Sequence, residues 1–169
     1  MANFDLYAPT LKKWEGGWAN DPDDRGGATM MGVTIATFRR FFGAHRTEDE
    51  LRHITPGQWR IVMKTFWDKC KGDEIRNQSI AEIFVDWYVN AGVNAIKRVQ
   101  KVFGLKADGI VGPLTLAALN RDDSEVVFNR IKDSRISYYR AIVEANPSQK
   151  KFLNGWLRRT YSFEFSNDS

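Results

Sequence analysis

Apolar residues recur at helical spacing along most of the chain, and polar capping residues punctuate them. Phe4, Tyr7, Leu11 and Trp14 make the first stripe, after which Gly16-Gly17 offer left-handed-tolerant positions of the kind at which helices end. Further helix starts are signalled at Thr47 with Glu50, Thr55-Pro56 with Gln58, Ser79 with Glu82, Asp122 with Glu125, and Asn146-Pro147 with Gln149. From Ile80 to Phe103 the run Ile83, Phe84, Val85, Trp87, Tyr88, Val89, Ala91, Val93 leaves almost no polar face, which predicts one central, buried helix. Residues 123–144, with Val127, Ile131, Tyr138 and Ile142 on one face, and 148–163, with Phe152, Trp156 and Leu157, predict two packing helices. Period-two alternation is scarce, and only short segments between 18 and 34 read as strands. The expectation is a mainly α fold with one small β-hairpin and a fraying end from Ser166 to Ser169.

Polar residues inside this pattern are the first candidates for chemistry. Asp86 and Asn90, at i and i+4 on the predicted buried helix, would be held inside and need partners. They read either as a structural hydrogen-bond network or, for Asp86, as a carboxylate facing a cleft. Glu15 sits at the exit of the first helix, beside Trp14 at the margin of the apolar stripe, where partial burial would raise its pKa and suit it to act as a general acid. Nine residues on stands Asp24, and a Gly-rich turn then leads to Thr29 and the Gly32-Val33-Thr34 strand. Glycosidases commonly flank the scissile bond with two carboxyl groups, one protonating the leaving oxygen and the other serving as nucleophile or positioning water. A helix-end Glu15 opposite a hairpin Asp24 meets that need. The bland alternatives are an idle helix-terminal carboxylate and an ordinary Asp-rich turn. A calcium loop starting at Asp21 would place Gly32 where the bidentate Glu must stand, and no other metal-ligand spacing occurs, so no cofactor is expected. Trp18 would either wall a sugar site or anchor the hairpin on the core.

The run Glu15-Gly16-Gly17-Trp18-Ala19-Asn20-Asp21-Pro22-Asp23-Asp24-Arg25-Gly26-Gly27-Ala28-Thr29, continuing to Gly32-Val33-Thr34, resembles the hallmark of glycoside hydrolase family 108, muramidases once described as secretion activator proteins. The order Glu, Asp, Thr is also similar to that of phage lysozymes, although the step to Thr29 is one residue shorter. The resemblance implies a lysozyme-like helical fold. It carries a catalytic role to Glu15 first, Asp24 second, and Thr29 or Thr34 only weakly. A second motif, Val99-Gln100 through Phe103-Gly104-Leu105, Asp108-Gly109-Ile110-Val111-Gly112-Pro113, Thr115 and Ala118-Leu119, is similar to the repeat of peptidoglycan-binding domains. Physically it is a helix ending at Gly104, a tight Asp-Gly turn that Asp108 and Thr115 can pin, and a new helix begun at Gly112-Pro113. The chain thus divides into a lysozyme-like catalytic region, 1–92, and a peptidoglycan-binding-like helical region, 93–169, packed on the same core.

Composition narrows the function further. The 169 residues, 43% hydrophobic, suffice for one domain or two halves sharing a core. Six Trp and eleven Phe exceed what a small helical core requires, so some should line a groove against sugar faces. The net charge of +4 and pI of 9.2 suit anionic wall polymers. Nucleic acid is disfavoured, because the basic residues are dispersed and no recognition motif accompanies them. Lys150, Lys151, Arg158 and Arg159 read as a solvated face that could lean on wall polymer. The single cysteine, Cys70, continues the stripe of Trp59, Val62, Met63, Phe66 and Trp67 and reads as a buried small hydrophobe, since neither His45 nor His53 is brought near it. The N-terminus lacks the pattern of a signal peptide and no apolar run is long enough to span a membrane. The reading is a monomer made in the cytoplasm, without stable membrane insertion, that acts on the cell wall in the periplasm or outside the cell.

The resemblance makes the expected reaction hydrolysis of the β-1,4 bond between N-acetylmuramic acid and N-acetylglucosamine. Glu15 would protonate the leaving oxygen, Asp24 and Thr29 would assist, and Trp18, Thr34, Asp86 and Asn90 would contact the glycan. A lytic transglycosylase and a non-catalytic peptidoglycan-binding protein remain open, as do the settings of endolysin and delivered effector.

Overall fold

The computed structural model describes residues 1–22 and 27–167. Two compact units divide the chain, one of residues 5–65 and one of residues 1–4 with 66–169.

The smaller unit takes in most of α1 (Phe4–Trp14), a sheet of β1 (Trp18–Ala19), β2 (Thr29–Met30) and β3 (Val33–Thr34), then α2 (Ile35–Phe42), α3 (Glu48–Arg52) and the first part of α4 (Pro56–Lys69). Both strand pairs are antiparallel, so the expected hairpin carries a third strand. Thr47 opens α3 with the full capping box, its side chain taking the Glu50 N–H while Glu50 takes the Thr47 N–H. Thr55 and Gln58 make the same reciprocal pair at α4, at 3.1 and 3.0 Å. Each such cap contributes about 1 kcal/mol.

The larger unit contains α5 (Gln78–Ala91), α6 (Val93–Val102), α7 (Pro113–Leu119), α8 (Ser124–Ala145) and α9 (Lys150–Ser162), with 3₁₀ turns at Gly72–Glu74 and Pro147–Gln149. The single helix expected from Ile80 to Phe103 is two. Gly92, at φ 63° and ψ −143°, breaks it in a region of backbone space open essentially to glycine. The break also exposes Asn90 and Val93, both expected inside, because the last turn of α5 lies beyond the covered stretch Ile80 to Trp87. The α5 cap is Asn77, accepting from the Ile80 N–H at 2.9 Å, and not Ser79. Ser79 instead accepts the Ser166 N–H at 2.9 Å while Asn77 donates to the Ser166 carbonyl at 2.7 Å. Ser166 is therefore held, against the expectation that it frays. At α8 the capping position is Asp123, one residue beyond the expected Asp122, and it makes no side-chain cap bond.

The second sequence motif folds as expected in outline. Helix α6 closes with Gly104 left-handed, the Gly104 N–H on Lys101 and the Leu105 N–H on the Gln100 carbonyl, which is a Schellman ending. Pro113 stands in the first turn of α7. The centre of the motif is buried Gln100, whose amide nitrogen lies 2.9, 3.0 and 3.1 Å from Asp108 Oδ1, the Ile110 carbonyl and Thr115 Oγ1, and whose oxygen accepts the Gly109 N–H. Asp108 also accepts the Ile110 N–H, and these bonds hold its carboxyl below the usual range.

Helix α5 packs on α6 and α8, and α8 on α9. Inside that packing Asp86 meets two guanidinium groups. Arg135 donates to it at 2.8 Å, and Arg159 grips both its oxygens at 2.9 and 2.7 Å. Arg159 is thus buried and ion-paired rather than part of a solvated face. Arg135 also donates to the Ile83 carbonyl and to the Tyr139 hydroxyl. Cys70 is buried as expected, and burial pushes its thiol up.

Glu82, one turn before Asp86, has its pKa raised by burial and by repulsion from Asp86, which outweigh the bond donated by Gln78. A carboxyl that holds its proton more tightly when folded favours the fold below its ordinary value of 4.5 and loses that contribution as pH rises through the raised value. Glu82→Gln should therefore raise the melting temperature at pH 7 and leave it unchanged at pH 4, as thermal denaturation at both pH values would show.

Candidate active site

Glu15 is the residue immediately after α1, and its N–H still donates to the Leu11 carbonyl at 2.8 Å, so the last turn of the helix aims it. The two glycines that follow are not left-handed, contrary to the sequence expectation. Positive φ appears instead at Gly27, Met31 and Gly32. Between β2 and β3, with Met30 paired to Val33, the chain reverses through Met31 at φ 49° and Gly32 at φ 83°, the paired positive values of a type I′ turn.

The Glu15 side chain lies on this turn. A Cβ built at Gly32 would stand 2.6 Å from Glu15 Cδ and Oε2 and 2.9 Å from Cγ, so the carboxyl occupies the space that any other residue at 32 would fill. Glycine is favoured there by the backbone angle, and it is what leaves room for the Glu15 carboxyl in this position. The Met31 N–H donates to the Gly16 carbonyl at 3.1 Å, tying the turn back to the residue after Glu15. The Met31 carbonyl in turn accepts the indole N–H of buried Trp59 at 2.9 Å.

The other expected site residues are distributed unevenly. Thr29 and Thr34 face each other across β2 and β3 and share one face of the sheet. The Thr34 hydroxyl is engaged as the cap of α2, accepting from the Thr37 N–H at 3.1 Å and donating to the Thr37 hydroxyl at 3.0 Å. Trp18, paired with Met30, lies on the opposite face with buried Val33, and the Arg52 guanidinium sits 5.5 Å from its ring centre. Asp24 lies outside the described residues. Asp86 and Asn90 belong to α5 in the other unit, the former enclosed by Arg135 and Arg159 and the latter exposed. From sequence Gly32 reads as the start of a strand and Trp59 as part of an apolar stripe, and neither they nor Met31 had a site role; the structure puts Gly32 in the turn before β3. Of these only Gly32 carried a signal, as a glycine inside the Glu15 motif.

The fold is of the mainly helical, lysozyme-like class, with one small antiparallel sheet. The family model described as glycosyl hydrolase 108 matches residues 8–92, and that described as Predicted Peptidoglycan domain matches residues 94–161. The chain belongs to the glycosyl hydrolase 108 family and is a glycosidase that acts on peptidoglycan. Among solved structures it is similar to SagA of Brucella abortus, at 28% identity and a TM-score of 0.86, over 98% of this chain and 97% of that one. No curated protein matches it. The two matched segments meet near residue 93, whereas the compact units divide at 65/66. No described helix is long and apolar enough to cross a membrane.

Proposed function

We propose that the protein is an N-acetylmuramidase that hydrolyses the β-1,4 bond between N-acetylmuramic acid and N-acetylglucosamine, with Glu15 as the general acid. The observation that supports this most directly is the seat of the Glu15 carboxyl on Gly32. A proton donor contributes most when its position is set before substrate arrives, and a carboxyl packed on a backbone turn has little freedom to wander. Asp24 positions the attacking water or stabilises the oxocarbenium-like transition state, and Thr29 assists from the sheet. Trp18 takes the sugar contact. The Thr34 hydroxyl and the Asp86 carboxylate already have structural partners, the α2 cap and two arginines, and the reading rests on neither. Reaching the wall requires export or lysis.

Purified peptidoglycan digested with the protein and resolved by mass spectrometry tests the reading. Reducing muropeptides support it. Anhydro-muramyl ends would make the enzyme a lytic transglycosylase, and sedimentation with the wall without products would make it a binding protein.

The same seat makes Gly32→Ala informative. An alanine there takes on about 1–2 kcal/mol of left-handed strain. Its methyl also displaces the Glu15 carboxyl. Turnover should fall about 100-fold, the scale of an ångström-sized misplacement. Wall sedimentation should be unchanged, and kcat measured below the melting temperature checks the outcome.

A further inference from the structure

Met31 is an unusual choice for the first central position of a type I′ turn. Asparagine, aspartate or glycine tolerates a positive φ there, whereas a longer side chain is strained by it. The turn nevertheless holds the geometry on which Glu15 rests, so something outside it must keep it in place. The peptide units of Met31 are pinned on both sides. Its N–H donates to the Gly16 carbonyl at 3.1 Å and its carbonyl accepts the Trp59 indole N–H at 2.9 Å. Trp59 is itself 2% exposed, lies in the first turn of α4, and carries the Lys12 ammonium 5.1 Å from its ring centre. Lys12 comes from α1, the helix that delivers Glu15. The chain of contacts thus runs from Trp59 to Met31, and from the Met31-Gly32 turn to both the backbone beside Glu15 and its carboxyl.

We infer that Trp59 is a positioning residue for Glu15, its indole N–H clamping the Met31 carbonyl so that the strained turn stays shut beneath the carboxyl. The inference rests on the assignment of Glu15 as the proton donor. Trp59 itself does not touch substrate. Its contribution is to keep the Met31–Gly32 peptide from rotating out of the left-handed arrangement, which would let the carboxyl move.

Trp59→Phe keeps an aromatic ring but removes the N–H. Replacement by benzothienylalanine, which exchanges N–H for sulfur in the same bicyclic outline, removes the bond with less change of volume. Steady-state kinetics on soluble peptidoglycan fragments, run well below each variant's melting temperature, should show kcat lowered about tenfold in both, with KM within about twofold, as expected for a group acting through orientation. Adding Met31→Gly, which relieves the strain and so the need for a clamp, should restore most of kcat. Unchanged kcat in a folded benzothienylalanine variant overturns the inference. A loss that Met31→Gly fails to restore also overturns it, because Trp59 would then be packing alone. Glu15→Gln in the same assay separates the two ideas. If it retains turnover, the assignment of Glu15 falls; if it is inactive while the Trp59 variants stay fully active, only the clamp falls.

Discussion

Glu15→Gln should leave the protein folded and able to sediment with peptidoglycan, while the release of reducing ends falls by about 10²–10⁴-fold, the range a positioned general acid contributes. The amide has nearly the outline of the carboxyl, so the packing over Gly32 is kept while the transferable proton is removed. The readout is muropeptide mass spectrometry under single-turnover conditions, with thermal melting alongside. Ordinary turnover in the Glu15→Gln variant would remove Glu15 from the mechanism and leave the family's chemistry to another carboxyl. Asp24→Asn run beside it tells the two glycosidase readings apart. Hydrolysis needs a second group to manage water, and so should slow substantially. An unaffected Asp24→Asn would favour transglycosylation, in which the sugar's own hydroxyl closes the ring.

Asp86→Ala should be the most destabilising of these changes, at about 3–5 kcal/mol, because it leaves the guanidinium groups of Arg135 and Arg159 buried without the carboxylate between them. In a protein of this size that is on the order of 10 °C in melting temperature. Burial by itself would work to discharge Arg135, and in the intact protein Tyr139 and Asp86 outweigh it and raise its pKa. With Asp86 removed the guanidinium still keeps its charge, because arginine does not deprotonate in proteins, and the cost stays with it. Denaturant titration gives the number. A variant that melts normally but has lost turnover would instead make Asp86 a group that meets substrate. Removing the whole triad, as Asp86→Leu with Arg135→Met and Arg159→Met, should recover much of the stability, since a buried ion cluster and a packed apolar one are often close in free energy.

Glu15 is legible as a candidate because three local signals coincide there: a helical stripe ends, glycines follow, and acidic and hydroxyl residues come next. The Thr47 and Thr55 caps are legible for a similar reason, since a capping box is a contact between residues three apart. The break at Gly92 is harder to see. An unbroken apolar run says that a segment is buried but not that it is one helix, and a single glycine decides the matter only through its backbone angles. Ser79 and Arg159 mislead because each is polar and locally plausible as a cap or a surface charge. Their true partners, Ser166 and Asp86, lie 87 and 73 residues away.

Short-range physics governs the mainly helical class, most helix boundaries, the Schellman ending at Gly104 and the chemistry of the Glu15 segment, and these are written in the order of the residues. Whatever depends on distant segments meeting is not. Tertiary contacts alone placed Gly32 beneath the Glu15 carboxyl, set Trp59 against the Met31 carbonyl, and enclosed Asp86 between two arginines. The left-handed Met31 turn marks the boundary between the two most sharply. Local preference argues against methionine at that angle, and bonds from Trp59 of α4 and from Gly16, just past α1, hold it there.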